Sequence, residues 1–270
     1  MAHVSPVTTM PTQFQSRLAP DSNIGHLKSN VPYGLKNKLR SIFYENVNLG
    51  VMGRPYHCIG KVLSGIDDRT INSGTGVLVG RNVLLTASHT AMWDAPPGRW
   101  WMRFFPAFFD GPSPNLGSSF VERFRGFRPQ PHPFSHDFVV CKLFNPLGDA
   151  LGFMGTFGST GDSFYYSRRW WSVGYPASVG GRRPVMELEI KVKDIDNNGD
   201  GREIETDFNN YILNGGWSGG PLWGFLQGGD ARVIGICSGW EMDGWDPPRT
   251  VFAGGIPLVN LVRDAHNGIF

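Results

Sequence analysis

The chain has 270 residues, and its 25 Lys and Arg against 23 Asp and Glu leave a formal net charge of +2. A hydrophobic share of 40% with 18% charged residues excludes general disorder and suits one large domain or two small ones. The near-neutral balance, with no block of like charge, gives no footprint for nucleic acid or an anionic membrane.

Gly (36) and Pro (20) are abundant, which favours short strands joined by turns over long helices. Residues 1–45 are polar and weakly periodic, and read as an N-terminal arm or pro-segment. No signal-peptide pattern and no run of about 18 apolar residues is found. His57–Val62 reads as a first strand. Thr75–Val79 and Asn82–Thr86, separated by Gly80-Arg81, read as a hairpin. The aromatic run Trp100–Phe109 reads as a barrel-core strand broken at Pro106, in preference to an exposed base-stacking surface. Asp137–Leu143 closes a first barrel, and the Gly-rich stretch Asn145–Arg169 crosses to a second. There, Trp170–Pro176, Glu187–Lys193, Val233–Cys237 and Thr250–Ala253 are strands. Glu187–Lys193 alternates strictly, which predicts one wet face. Pro257–Arg263 has helical spacing, with Pro suited to a first turn. The fold class expected is all-β: two six-stranded antiparallel β-barrels with a C-terminal helix, the first over 46–150 and the second over 151–270.

The three cysteines, Cys58, Cys141 and Cys237, show no CxxC or metal-ligand spacing and read as small buried apolar residues. Three other segments carry chemistry. Leu85-Thr86-Ala87-Ser88-His89 places a His after a buried strand. Ser135-His136-Asp137-Phe138 places an Asp before an apolar one. Gly215-Gly216-Trp217-Ser218-Gly219-Gly220-Pro221 places a Ser in a Gly-rich loop. A serine hydroxyl needs a base to take its proton, His is the natural base near neutral pH, and a buried carboxylate fixes the tautomer of that base. Backbone N–H groups in a Gly-rich turn suit a developing oxyanion. An α/β esterase would show Gly-x-Ser-x-Gly and put the Ser before the His, and the order here is the reverse.

Together these segments resemble the chymotrypsin-like serine peptidases. Thr86-Ala87-Ser88-His89 is similar to their Thr-Ala-Ala-His signature, and Gly216-Trp217-Ser218-Gly219-Gly220-Pro221 to Gly-Asp-Ser-Gly-Gly-Pro. Asp137-Phe138-Val139-Val140-Cys141-Lys142-Leu143 resembles the Asp strand of the family. The lack of cysteines beside His89 and Ser218 resembles the bacterial and fungal branch that includes the glutamyl endopeptidases. The resemblance implies Ser218 as nucleophile, His89 as general base and acid, and Asp137 as orienting carboxylate. It implies an oxyanion hole at the N–H groups of Gly216 and Ser218, with Ser238 beneath Asp137. It also implies a specificity pocket at Ile212, Leu213, Cys237, Ser238 and Gly239. None of those five is charged, so cleavage after apolar or aromatic residues is expected, although Glu241 and Asp243 follow closely. Cys237 stands where the glutamyl branch has a His, against Glu specificity. Trp217 replaces the Asp that captures a new N-terminus in trypsin-like enzymes.

The function expected is therefore a serine endopeptidase that acts as a monomer on polypeptide, with no required cofactor and no nucleic-acid or membrane partner. The alternative is a catalytically inactive binding module of the same fold. One further motif stands apart. Asp194, Asp196, Asn198, Asp200 and Glu205 fit the spacing of a calcium loop, while the same residues also read as an acidic hairpin turn on Asn198-Gly199.

Overall fold

In the computed structural model of the chain, residues 3–4, 42–128, 134–226, 228–242 and 248–269 are described. The rest of the N-terminal arm lies outside them. β1 (His3–Val4) belongs to a first sheet and β2 (Ile42–Glu45) to a second. β3 (Ile59–Ile66), β4 (Arg69–Gly80), β5 (Val83–Thr86), β6 (Trp100–Pro106), β7 (Ser119–Gly126) and β8 (Val139–Leu143) then pair in the order β7-β6-β3-β4-β5-β8. A further β7–β8 pairing closes this six-stranded barrel, and β1 is added on β7 at Arg125 and Gly126. Alternation puts Val62, Val77, Leu85, Phe104, Phe124 and Val140 into its core, the residues whose branched or aromatic side chains suit a pleated, buried surface.

The crossing segment contributes β9 (Gly155–Thr156), which pairs in parallel with Arg232 and Val233. The second sheet uses β10 (Trp170–Gly174), β11 (Val185–Ile190), β12 (Val192–Asn198), β13 (Gly201–Asp207), β14 (Pro221–Phe225), β15 (Ala231–Glu241) and β16 (Arg249–Gly255). Its order is β12-β13-β16-β15-β14-β10-β11-β2. Only Lys191 separates β11, next to the β2 edge, from β12 at the opposite edge, and among the described residues no strand pairing closes this sheet, which has nine strands with β9 where six are expected. Ile204, Ile234, Phe252, Trp170 and Trp217 fill the space inside.

The stretch Glu187–Lys193 is thus two strands with a bend, and its polar face is not all wet. Glu187 is buried, because β2 lies against β11 with Phe43 opposite Glu187, and because Asn209 Nδ2 donates to its carboxylate at 3.0 Å. The C-terminal helix, Ile256–His266, has Pro257 in its first turn and buries Leu258, Leu261 and Val262 in the core cluster of the first barrel. Its last residue, His266, donates from Nε2 to the Val79 carbonyl at 2.8 Å. Among the described residues no helix is long and apolar enough to cross a membrane.

Candidate active site

His89 lies in a 3-10 turn, Ser88–Thr90, that follows β5. Asp137 ends a similar turn, Phe134–His136, before β8. Because β5 and β8 are paired, Thr86 opposite Val139, both turns emerge at one end of the first barrel. Two bonds join them. The His89 backbone N–H donates to Asp137 Oδ1 at 2.9 Å, and His89 Nδ1 donates to Oδ2 at 2.6 Å. A carboxylate only accepts, so in the neutral ring the proton sits on Nδ1 and the lone pair on Nε2. The third donor comes from the other barrel, where Ser238 on β15 donates from Oγ to Asp137 Oδ2 at 2.6 Å. Both Asp137 and Ser238 are buried, while the His89 side chain remains 38% exposed. Burial of the His89 ring opposes its charged form. The hydrogen bond and the charge of Asp137 outweigh that, so its pKa is held above the ordinary histidine value.

Ser218 sits in the loop between a 3-10 turn, Asn210–Ile212, and β14. This loop is docked onto the first barrel. The Ser218 carbonyl accepts from Thr75 N on β4 at 2.8 Å, and Gly219 N and Cys237 N exchange bonds with Cys237 O and Gly220 O at 2.9 and 2.8 Å. Ser218 is therefore tied through β15 to Ser238, and through Ser238 to Asp137. Gly219 has φ +86°, and a Cβ there would collide with Thr75 O and Thr86 Oγ1. Only glycine lets the loop come so close to the first barrel. Among the described residues no hydrogen bond joins Ser218 Oγ to His89; such bonds often shorten only when substrate is bound.

The glycine pair before Ser218 is held by its carbonyls. Gly215 O accepts from Ala177 N at 3.0 Å, and Gly216 O accepts from Thr75 Oγ1 at 2.7 Å and Tyr175 N at 3.4 Å. In a trans peptide the N–H points opposite its C=O, so the Gly216 N–H faces away from Ala177. Neither it nor the Ser218 N–H has an acceptor among the described residues. Gly216 has φ +90°, and a Cβ there would strike Tyr175 O. Trp217, between the two donors, is fully buried and bonds Ser172 Oγ from Nε1 at 2.9 Å.

The remaining expected site residues fall in two environments. Ile212 and Cys237 are buried in the core of the second barrel, and Leu213 is 52% exposed. Gly239 borders open space, since a Cβ added there would meet nothing within 4 Å. Ser238 is committed to Asp137. Glu241 lies at the end of β15, and Asp243 lies outside the described residues. All three cysteines are free and buried, and burial pushes their thiols up, Cys58 to about 12 and the other two further. None is a thiolate near neutral pH.

The acidic motif is a hairpin. β12 and β13 pair from Val192 opposite Thr206 to Asn198 opposite Gly201, with Gly199-Asp200 at the turn. Asp194, Asp196, Asn198 and Glu205 are strung along the two strands instead of wrapping one centre. The Arg249 guanidinium bonds Asp194 at 3.1 Å and Glu205 at 2.6 Å, placing a protein cation between two of the expected ligands. Burial, set against Arg249 and joined by a hydrogen bond with Glu241, pushes the Glu205 carboxyl up to about 7. Asp196, Glu205 and Glu241 do bring carboxylate oxygens within 4.8 Å of one another.

Comparison with solved structures bears on the fold. The protease Anisep from Arthrobacter nicotinovorans superposes with a TM-score of 0.56 at 17% identity, covering 83% of this chain and 99% of that one. A Glu endopeptidase superposes with a TM-score of 0.59 at 18% identity, covering 83% and 96%. This is the chymotrypsin-like protease fold. No protein-family model and no curated protein sequence matches the chain, so the likeness is one of architecture. Within that fold the sequence missed Thr75. Its hydroxyl, N–H and carbonyl all bond at the site, but the partners of the hydroxyl lie 100 and 141 residues away, and no local pattern marks them.

Proposed function

We propose that the chain is a serine endopeptidase, with His89, Asp137 and Ser218 as its triad. The observation that carries this reading is the Asp137 carboxylate. It is buried at the seam of two barrels, takes three donors, and turns the free Nε2 of His89 outward. In this mechanism the Ser218 hydroxyl adds to the scissile carbonyl as its proton passes to His89 Nε2. The oxyanion settles on the Gly216 and Ser218 N–H groups, and the protonated His89 returns the proton to the leaving amine. Water then repeats the sequence on the acyl-enzyme, with His89 again as base. Asp137 stabilises the imidazolium.

Cleavage after apolar or aromatic residues is supported by the uncharged set Ile212, Leu213, Cys237 and Gly239. An unpaired Lys or Glu buried there would cost several kcal/mol, whereas an apolar side chain gains roughly 1.5–3 kcal/mol. The substrate is polypeptide and the working form a monomer, with no cofactor in the reaction and no nucleic acid or membrane engaged.

A fluorophosphonate probe tests the nucleophile: the native protein is labelled and Ser218→Ala is not. Equal labelling of both overturns Ser218 as the nucleophile, and labelling of neither leaves an inactive module of the same fold. Chromogenic peptides differing only in the residue before the cut test the pocket. Faster turnover after Glu, or after Lys and Arg, than after Phe and Leu overturns the apolar assignment.

A further inference from the structure

The oxyanion donors belong to the second barrel, yet two of the bonds that hold the surrounding loop come from one residue of the first. Thr75 lies on β4 and is fully buried. Its hydroxyl donates to Gly216 O at 2.7 Å and accepts from Tyr175 N at 3.1 Å. Its N–H donates to Ser218 O at 2.8 Å, and its carbonyl accepts from Thr86 Oγ1 at 2.7 Å. One hydroxyl thus serves a carbonyl of the oxyanion loop as donor and an amide of the Gly174–Ala177 turn as acceptor. Without it, Tyr175 N would retain only the 3.4 Å contact to Gly216 O. The Gly215–Gly216 pair has positive φ at both residues, +76° and +90°, and lacks side chains to lock it, so its peptide planes are free to turn unless their carbonyls are held.

We infer that Thr75 is a positioning residue for the oxyanion hole, reaching across the seam between the barrels to hold the Gly216 carbonyl and the Ser218 carbonyl at once. The inference rests on the endopeptidase reading and adds to it a group that anchors the peptides next to the two donors, whose own planes are held by Ala177 N at Gly215 O and by Gly220 N at Trp217 O. It makes a discrimination that packing alone does not. Valine has the shape of threonine without the hydroxyl, and serine keeps the hydroxyl with less bulk.

The test uses Thr75→Val and Thr75→Ser in the full chain. Thr75→Val is expected to lower kcat by about 10- to 100-fold at nearly unchanged KM, below the roughly 100- to 1,000-fold cost of deleting an oxyanion donor outright. Thr75→Ser is expected to stay within about threefold of the wild type. A peptide aldehyde, whose adduct oxygen occupies the oxyanion position, should lose affinity for Thr75→Val by about the same factor as kcat/KM. A non-covalent product peptide should bind unchanged. Hydrogen exchange read by mass spectrometry over residues 213–219 supplies a readout independent of turnover, and should be faster in Thr75→Val than in Thr75→Ser or the wild type. An inactive wild type would overturn the endopeptidase reading, and the exchange data would still decide the role of Thr75. A folded Thr75→Val with wild-type kcat and exchange overturns the inference. So does a Thr75→Ser variant as impaired as Thr75→Val.

Discussion

Replacing Ser238 with Ala removes one of the three donors to Asp137 and one direct bond between the barrels. A hydrogen bond to a charged acceptor contributes about 1.5–3 kcal/mol. Both partners are buried, so water does not readily replace the lost donor, and unfolding stability should fall by about that amount. The catalytic cost is separate. With Ser238 gone, more of the Asp137 charge falls on His89, whose pKa already lies above its ordinary value because the carboxylate outweighs burial. The ring should therefore hold its proton to still higher pH. Since the base must be neutral, the acid limb of kcat/KM should move upward, and a looser carboxylate should lower the plateau by roughly tenfold, the equivalent of about 1.4 kcal/mol. The assay is kcat/KM for a chromogenic peptide across about pH 5 to 9, paired with urea unfolding. An acid limb and plateau identical to those of the wild type would refute the argument, whatever happened to stability.

Ser218→Ala and His89→Ala should each lower kcat by about six orders of magnitude, and the double variant should be scarcely worse, because the residues act as a unit; a single variant keeping a tenth of the activity would refute this. Lys61 donates from Nζ to Gly181 O and lies over the Phe108 ring at 5.2 Å, and burial, with Arg182 nearby, pushes its ammonium down to about 8. Between that pH and the ordinary lysine value the unfolded chain binds a proton that the folded chain has released, so the contribution of this group to stability rises with pH, by at most about 3 kcal/mol. Lys61→Met should lose that rise, and parallel urea-unfolding profiles for the two proteins at about pH 7 and 10 would show otherwise. With Arg249 between Asp194 and Glu205, calcium or a chelator is expected to leave the melting temperature within about 1 °C, whereas a calcium-dependent rise of several degrees would favour the metal reading.

The turns that carry His89 and Asp137 were legible because each follows or precedes an apolar strand at its own boundary. The Ser218 loop was legible because its glycines are contiguous. β7 (Ser-Phe-Val-Glu-Arg-Phe-Arg-Gly) escaped because its half-buried positions include Glu122, Arg123 and Arg125, charges that break the apolar alternation and pair with one another or with the C-terminal segment. β14 escaped because Pro221 opens it and Gly224 interrupts it. Glu187 looked solvent-facing from alternation alone. Its burial depends on a strand about 140 residues earlier in the chain, and β2 itself is a four-residue piece inside a segment that reads as an arm. Thr75 shows the same limit at the site. Its hydroxyl matters through Gly216 and Tyr175, and threonine in a strand is ordinary by propensity.

The position of β2 also imposes an order on the birth of the protein. It leaves the ribosome before any strand of the first barrel body, yet its partner β11 follows about 140 residues later, with Glu45 opposite Val185. At translation rates of about 5–20 residues per second, that strand must wait roughly 7 to 28 seconds for its mate. The first barrel can close within this interval, while Ile42 and Tyr44, which stay half exposed even in the finished fold, have no sheet to join. A nascent chain stalled before β11 should therefore bind chaperone through this segment, and one released beyond it should not.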